Sequence, residues 1–212
     1  MEVHHHEIFK KSPPFASVFS CPARYTVRPM ENHKYQHYNI PGDPHGLTFI
    51  CYKKMRFLKS DYARELLARA IDAASYKHNF AVWAYVIMPE HLHILIYPRN
   101  ENYSISEILK SIKQPVARQI VNHLKENNSP KLQLLATGTR HHPYRFWQDG
   151  GGYDEVIRTY RGLIRFVDYL HENPVVRGFV ENAVDWEWSS ARDWILGEKG
   201  PVEIDLEYFP MR

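Results

Sequence analysis

The chain has 212 residues, enough for one ordinary domain with appended tails. Its composition, 44% hydrophobic and 24% charged, excludes a fibrous or wholly disordered chain. No apolar run approaches the roughly 20 residues that span a bilayer. A net charge of +3 permits nucleic-acid binding without requiring it, because local clustering matters more than the total.

Residues 1–45 are rich in Pro, His and Tyr and lack periodicity, which predicts an irregular extension able to pack through its aromatic residues. His4, His5 and His6 read as part of a solvated tail. The opening MEVHHHEIFKKSPP has no apolar segment of a secretory signal. Cys21 and Cys51 are too few and too far apart for a disulfide framework, so both features point to reduced thiols and a cytoplasmic protein.

A domain is predicted over residues 46–197, followed by a tail at 198–212. Residues 47–54, LTFICYKK, suit a strand. Ser60 offers an N-cap to a helix bearing Leu66, Leu67, Ala70, Ile71 and Ala74. Residues 80–89 and 91–98 read as buried strands. The capping box of Ser104 and Glu107 opens a helix carrying Ile105, Ile108, Leu109, Ile112, Val116, Ile120 and Leu124, with a kink expected at Pro115. After a polar connection at 125–143, residues 144–158 supply one or two strands broken by Gly150, Gly151 and Gly152. A last helix is predicted over 160–173, ended by Pro174 and Gly178. This order gives an α+β fold: a ferredoxin-like βαββαβ antiparallel sheet with an additional C-terminal helix.

Two groups of residues carry candidate chemistry. His91 and His93 lie two apart on a strand, so both imidazoles emerge on one face, where neutral rings can hold a divalent ion. Two histidines hydrogen-bonded within a sheet face have the same spacing. On the last helix, Leu163, Phe166, Val167 and Leu170 form an apolar stripe, with Tyr169 beside it and Asn173 one turn on. If that helix crosses the sheet near the histidines, Asn173 could complete a metal site and Tyr169 could attack a bound phosphate. Tyr160 lies roughly 13 Å along the same helix, too far to share that site. Tyr153, in the glycine turn, would reach it only if the loop folded over the sheet.

Three segments in order, MPEHLH (88–93), FVDYLHENPVVRGFV (166–180) and DWEWSS (185–190), resemble the REP-associated tyrosine transposases. These are domesticated relatives of the single-tyrosine insertion-sequence transposases, within the His-hydrophobic-His (HUH) nuclease superfamily. The resemblance spans roughly residues 46–194. It implies His91 and His93 as ligands of Mg²⁺ or Mn²⁺, Asn173 as a further ligand, and Tyr169 as the nucleophile that forms a 5′-phosphotyrosine. It also implies single-stranded DNA with hairpin-forming repeats as substrate, cleaved by a catalytic C-terminal helix in a monomer or a homodimer that exchanges it. Lys53, Lys54, Arg56, Lys110, Lys113, Arg118, Arg140 and Arg145 are the candidate DNA contacts, by charge and position. Trp186 and Trp188 are expected to pack the C-terminal tail onto the domain.

Two rival readings follow from the same residues. One is a non-catalytic ferredoxin-like nucleic-acid-binding module, which needs exposed strand aromatics such as Phe49, Trp83 and Tyr85 for base stacking. The other is a metal-dependent hydrolase that activates water, with Tyr169 structural.

Overall fold

A computed structural model describes residue 37 and residues 39–210. His4, His5, His6 and Cys21 lie outside them. The elements follow in the order β1 (His45–Ile50), α1 (Asp61–His78), β2 (Phe80–Ile87), β3 (His91–Pro98), α2 (Ile105–Glu126), β4 (Tyr153–Val156), α3 (Tyr160–Val176) and α4 (Ala191–Leu196), with short 3-10 turns between them. The four strands form one antiparallel sheet in the order β2-β3-β1-β4. This is the ferredoxin-like arrangement that the element order predicts, with α3 as the added helix.

Each sheet face buries its own apolar layer. Leu47, Phe49, Ile94 and Ile96 meet Leu67 and Ile71 of α1 and Ile108 and Ile112 of α2. On the other face Ala84, Val86 and Leu95 meet Leu163, Phe166, Val167 and Leu170 of α3. A register shift between Val82 and Ala84 turns both Trp83 and Ala84 toward the α3 layer.

Local signals explain the helix starts. The Ser60 hydroxyl accepts Ala63 N–H, that of Ser104 accepts Glu107 N–H, and that of Thr159 accepts Gly162 N–H. The Glu107 carboxylate pairs with Lys110. Gly46 on β1 faces Phe166 of α3, and a Cβ there would lie 2.6 Å from the ring. The absence of a side chain lets the helix come down onto the sheet.

Several boundaries differ from the sequence reading. β1 ends at Ile50, because Lys53 and Lys54 take left-handed φ values of 53° and 55°. α3 continues past Pro174 to Val176; that proline lies in the last turn, where its missing N–H removes one bond at a fraying end. The 144–158 stretch yields one short strand, β4, while Trp147 makes an isolated bridge to Cys51. Gly152, at φ +80°, packs against the Thr48 backbone as the chain enters β4.

Both flanks of the sheet are held by polar contacts. His37 and His45 bond the two oxygens of Asp154 at 2.8 and 2.7 Å, and Arg158 pairs with Asp43. The described residues of the extension meet the domain through these polar groups, and its Phe and Tyr residues lie outside the described residues. Beyond α3 the chain returns along β2. Ser190 N–H donates to Tyr85 O, Trp186 Nε1 to Ile87 O, Trp194 Nε1 to Trp83 O and Asp205 N–H to Val82 O. Trp188, Val202 and Phe209 are buried there. Among the described residues no helix is long and apolar enough to cross a membrane.

Gly46→Ala should destabilise the protein by about 1–3 kcal/mol, because the added methyl must push the Phe166 ring out of a filled site. Urea unfolding measures this, and Phe166→Leu in the same chain should recover part of the loss.

Candidate active site

β3 is a central strand, and its register sets the site. His93 pairs directly with Thr48 of β1, so both side chains share the α3 face. Thr48 Oγ1 lies 2.6 Å from His93 Nδ1, and the Tyr169 hydroxyl lies 3.1 Å from His93 Nε2. The His91 and His93 rings stand edge to face with centroids 4.5 Å apart. The helix therefore crosses the sheet where the His-x-His strand needs it, and Tyr169, His93 and His91 meet.

The bond to Glu90 assigns the His91 tautomer. Glu90 Oε1 can only accept, so His91 Nδ1, 2.9 Å away, carries the proton and leaves its Nε2 lone pair free. Burial of His93 drives its imidazolium form well below the usual range, with any charge on His91 and that of Arg177 adding to the effect. The neutral ring bonds both hydroxyls, one nitrogen donating and one accepting; in the tautomer that donates Nδ1–H to Thr48, Nε2 accepts from the Tyr169 hydroxyl. In that tautomer both histidines present Nε2 as a lone pair, each steadied through Nδ1 by a neighbour, as metal-binding imidazoles commonly are.

Asn173 is buried one turn beyond Tyr169, and its Oδ1 has no hydrogen-bond partner. An orphaned, buried acceptor calls for an explanation such as an absent ion. Burial raises the Tyr169 pKa above 10; a hydrogen bond from the Asn173 side chain and the Arg177 charge oppose that rise. No group of three His, Cys, Asp or Glu side chains suited to a metal occurs among the described residues. An ion here would rest on the two imidazoles and the amide oxygen, a mixed nitrogen and oxygen set that suits a borderline divalent cation.

Thr48, Glu90 and Arg177 belong to this site and were not read from the sequence. Arg177 caps α3 and bonds the Glu90 carboxylate, which burial pushes up but His91 and Arg177 hold down at about 2. Glu90 stands beside His91 in MPEHLH and was legible there. Thr48 was not, because only the β1–β3 register brings it to His93. Tyr153 is placed differently from expectation: it lies on β4 opposite Thr48, on the α3 face, and reaches Glu155 at 3.5 Å.

The candidate DNA contacts separate into groups. Lys53, Lys54 and Arg56 are exposed just beyond the end of β1 that pairs with His91. The Lys53 ammonium and the Arg145 guanidinium both lie over the Tyr52 ring, and Arg56 lies 6.0 Å from Phe179. Arg145 also pairs with Asp149. Lys110 and Arg118 are exposed on α2, across the sheet from Tyr169, and Arg140 is exposed in the connection. Lys113 is turned inward: its ammonium donates to Gly150 O at 2.8 Å, and burial lowers its pKa to about 8. Phe49, Trp83 and Tyr85 are fully buried, so these residues form no stacking platform and the binding-module reading loses its basis.

This fold sets a tyrosine over paired histidines, a candidate nucleotidyl-transfer site. A family model described as "Transposase IS200 like" matches residues 45–160. The chain belongs to that transposase family and is an enzyme of DNA transposition. The match closes at the first residue of α3, so Tyr169 and Asn173 lie beyond it. Among similar proteins, a putative REP-associated tyrosine transposase of Haemophilus influenzae is 27% identical over 164 residues, 76% of this chain and 87% of that protein. The REP-associated tyrosine transposase of Escherichia coli K12 is 25% identical over 158 residues, 74% and 81% of the two chains. A solved REP-associated tyrosine transposase bound to a REP hairpin shares the fold, with TM-score 0.60 and 23% identity over 84% of this chain and 95% of that one.

A second buried histidine stiffens the tyrosine helix. His171 Nε2 lies 2.9 Å from Ser190 Oγ, and burial pushes its imidazolium form down from 6.5 to about 3. The unfolded chain therefore binds a proton that the folded one refuses. The contribution to stability is constant above pH 6.5 and is lost progressively as pH falls toward 3, by at most about 1.4 kcal/mol per pH unit. Urea midpoints should fall between pH 7 and pH 5, and His171→Gln should flatten that slope. Equal slopes for the two proteins would contradict the assignment.

Proposed function

We propose that this enzyme is a divalent-metal-dependent, single-tyrosine transposase that cleaves and rejoins single-stranded DNA beside hairpin-forming repeats. The observation that carries the reading is the Tyr169 hydroxyl held 3.1 Å from His93 Nε2, on the helix whose next turn buries the unpartnered Asn173 Oδ1. Nucleophile and ligand set are offered together by two rigid elements. His91 Nε2, His93 Nε2 and Asn173 Oδ1 would hold Mg²⁺ or Mn²⁺, which neutralises phosphodiester charge and stabilises a leaving oxygen.

A phenol is a weak nucleophile near neutral pH, and burial weakens it further. Asn173 and Arg177 act in the opposite direction, favouring the phenolate. Attack by the Tyr169 oxygen on phosphorus breaks the bond to the 3′-oxygen. The phenol gives up its proton, the departing 3′-oxygen takes one, and a 5′-phosphotyrosine conserves the bond for rejoining. DNA carrying a hairpin is proposed as substrate because a similar solved protein is bound to a REP hairpin. Lys53, Lys54 and Arg56, at the His91 end of the sheet, are the side chains best placed to track the backbone of such a strand.

The test is a denaturing gel of the protein with single-stranded hairpin DNA. With Mn²⁺, a slow-migrating protein–DNA adduct and a shortened strand are expected, and both should vanish with EDTA. His91→Ala should abolish cleavage while leaving the fold intact; cleavage at the parental rate would refute the ligand assignment. Tyr169→Phe, one oxygen smaller, should form no adduct. A fully paired duplex of the same sequence should be a far poorer substrate, because its phosphates cannot bend into the site.

A further inference from the structure

We propose that Glu90 is a positioning residue for His91, and that Arg177 clamps it so that the histidine strand and the tyrosine helix are held as one unit. The inference rests on the metal reading given above and extends it to residues outside the proposed ligand set.

Glu90 sits where the chain enters β3, and its backbone is fixed on both sides. Cys51 N–H donates to Glu90 O at 2.8 Å, and Leu58 N–H donates to Pro89 O at 2.8 Å. Its carboxylate is not a surface acid: only 12% of the side chain is exposed, and Oε2 is buried with no partner. Oε1 accepts both the Nδ1–H of His91 and the Arg177 guanidinium. A buried carboxylate is costly unless it is paired, so its placement here demands a return. The hydrogen bond to Nδ1 provides one: it fixes the tautomer, aims the ring and makes Nε2 a stronger donor.

Arg177 supplies the second half. It is the residue that ends α3, four beyond Asn173, where a cation also complements the helix terminus. Its guanidinium lies 5.5 Å from the Phe179 ring, which limits its motion. One carboxylate oxygen therefore joins the first histidine of β3 to the end of the helix that carries Tyr169 and Asn173. A plain staple between helix and strand would stabilise the fold without altering the affinity of His91 for an ion. A positioning residue alters that affinity.

The experiment is Mn²⁺ binding to the full chain, followed by the electron paramagnetic resonance signal of free Mn²⁺ and requiring no DNA cleavage. Glu90→Gln keeps the shape but loses the charge, and should weaken Mn²⁺ binding about 10- to 100-fold. Arg177→Gln, at a more exposed position, should weaken it in the same direction by a smaller factor, and carries the test if Glu90→Gln does not fold. Parental Mn²⁺ affinity in the folded variants would overturn the positioning role alone. A parental chain that takes up no Mn²⁺ would remove the metal reading and this inference with it.

Discussion

The hydrogen bond between Tyr169 and His93 Nε2 joins the strand that carries the paired histidines to the helix that carries the tyrosine, and much of the fold serves to keep it short. The strand side is set by β1, whose Thr48 takes the other nitrogen of the same ring. The helix side is set by Phe166 seated on the bare backbone of Gly46. The bond also has a consequence for an ion at this place. A cation held by His93 Nε2 would displace this bond, because one nitrogen cannot serve both. Ion binding would then free the tyrosine oxygen at the moment the site becomes able to hold a phosphate.

Rigidity reaches the helix from three directions. Its stripe of Leu163, Phe166, Val167 and Leu170 is buried on the sheet, His171 meets Ser190, and Arg177 bonds Glu90. Ser190 itself is tied by backbone and side chain to Tyr85 of β2. The segment after α3 is thus a brace, wrapped along β2 through Trp186, Trp194 and Asp205. If Tyr169 is the nucleophile proposed above, such bracing holds its reach to phosphorus, because positioning to within fractions of an ångström needs a rigid support.

The sequence carried the element order and the caps at Ser60 and Ser104, because these follow from local periodicity and spacing, while the meeting of Tyr169 with His91 and His93 was implied only by the family resemblance. What escaped it depends on long-range register or on competition between local and tertiary terms. Thr48 and Tyr153 reach the α3 face through pairing partners on other strands. Lys53 and Lys54 look like strand residues yet turn left-handed. Pro174 looks like a helix stop, but packing of the preceding stripe carries the chain one more turn. Lys113 reads as a solvated cation on a helix and instead lies under the glycine loop, because Gly150 O offers it a partner.

Tyr153 gives the central claim its natural competitor, since it stands on the same sheet face two strands from His93, roughly 10 Å away at ordinary strand spacing. Mass-spectrometric mapping of the adduct trapped on single-stranded hairpin DNA separates the two. The account predicts a single DNA-bearing peptide, the one that contains Tyr169. DNA attached to the peptide that contains Tyr153, or to any peptide lacking Tyr169, would contradict it.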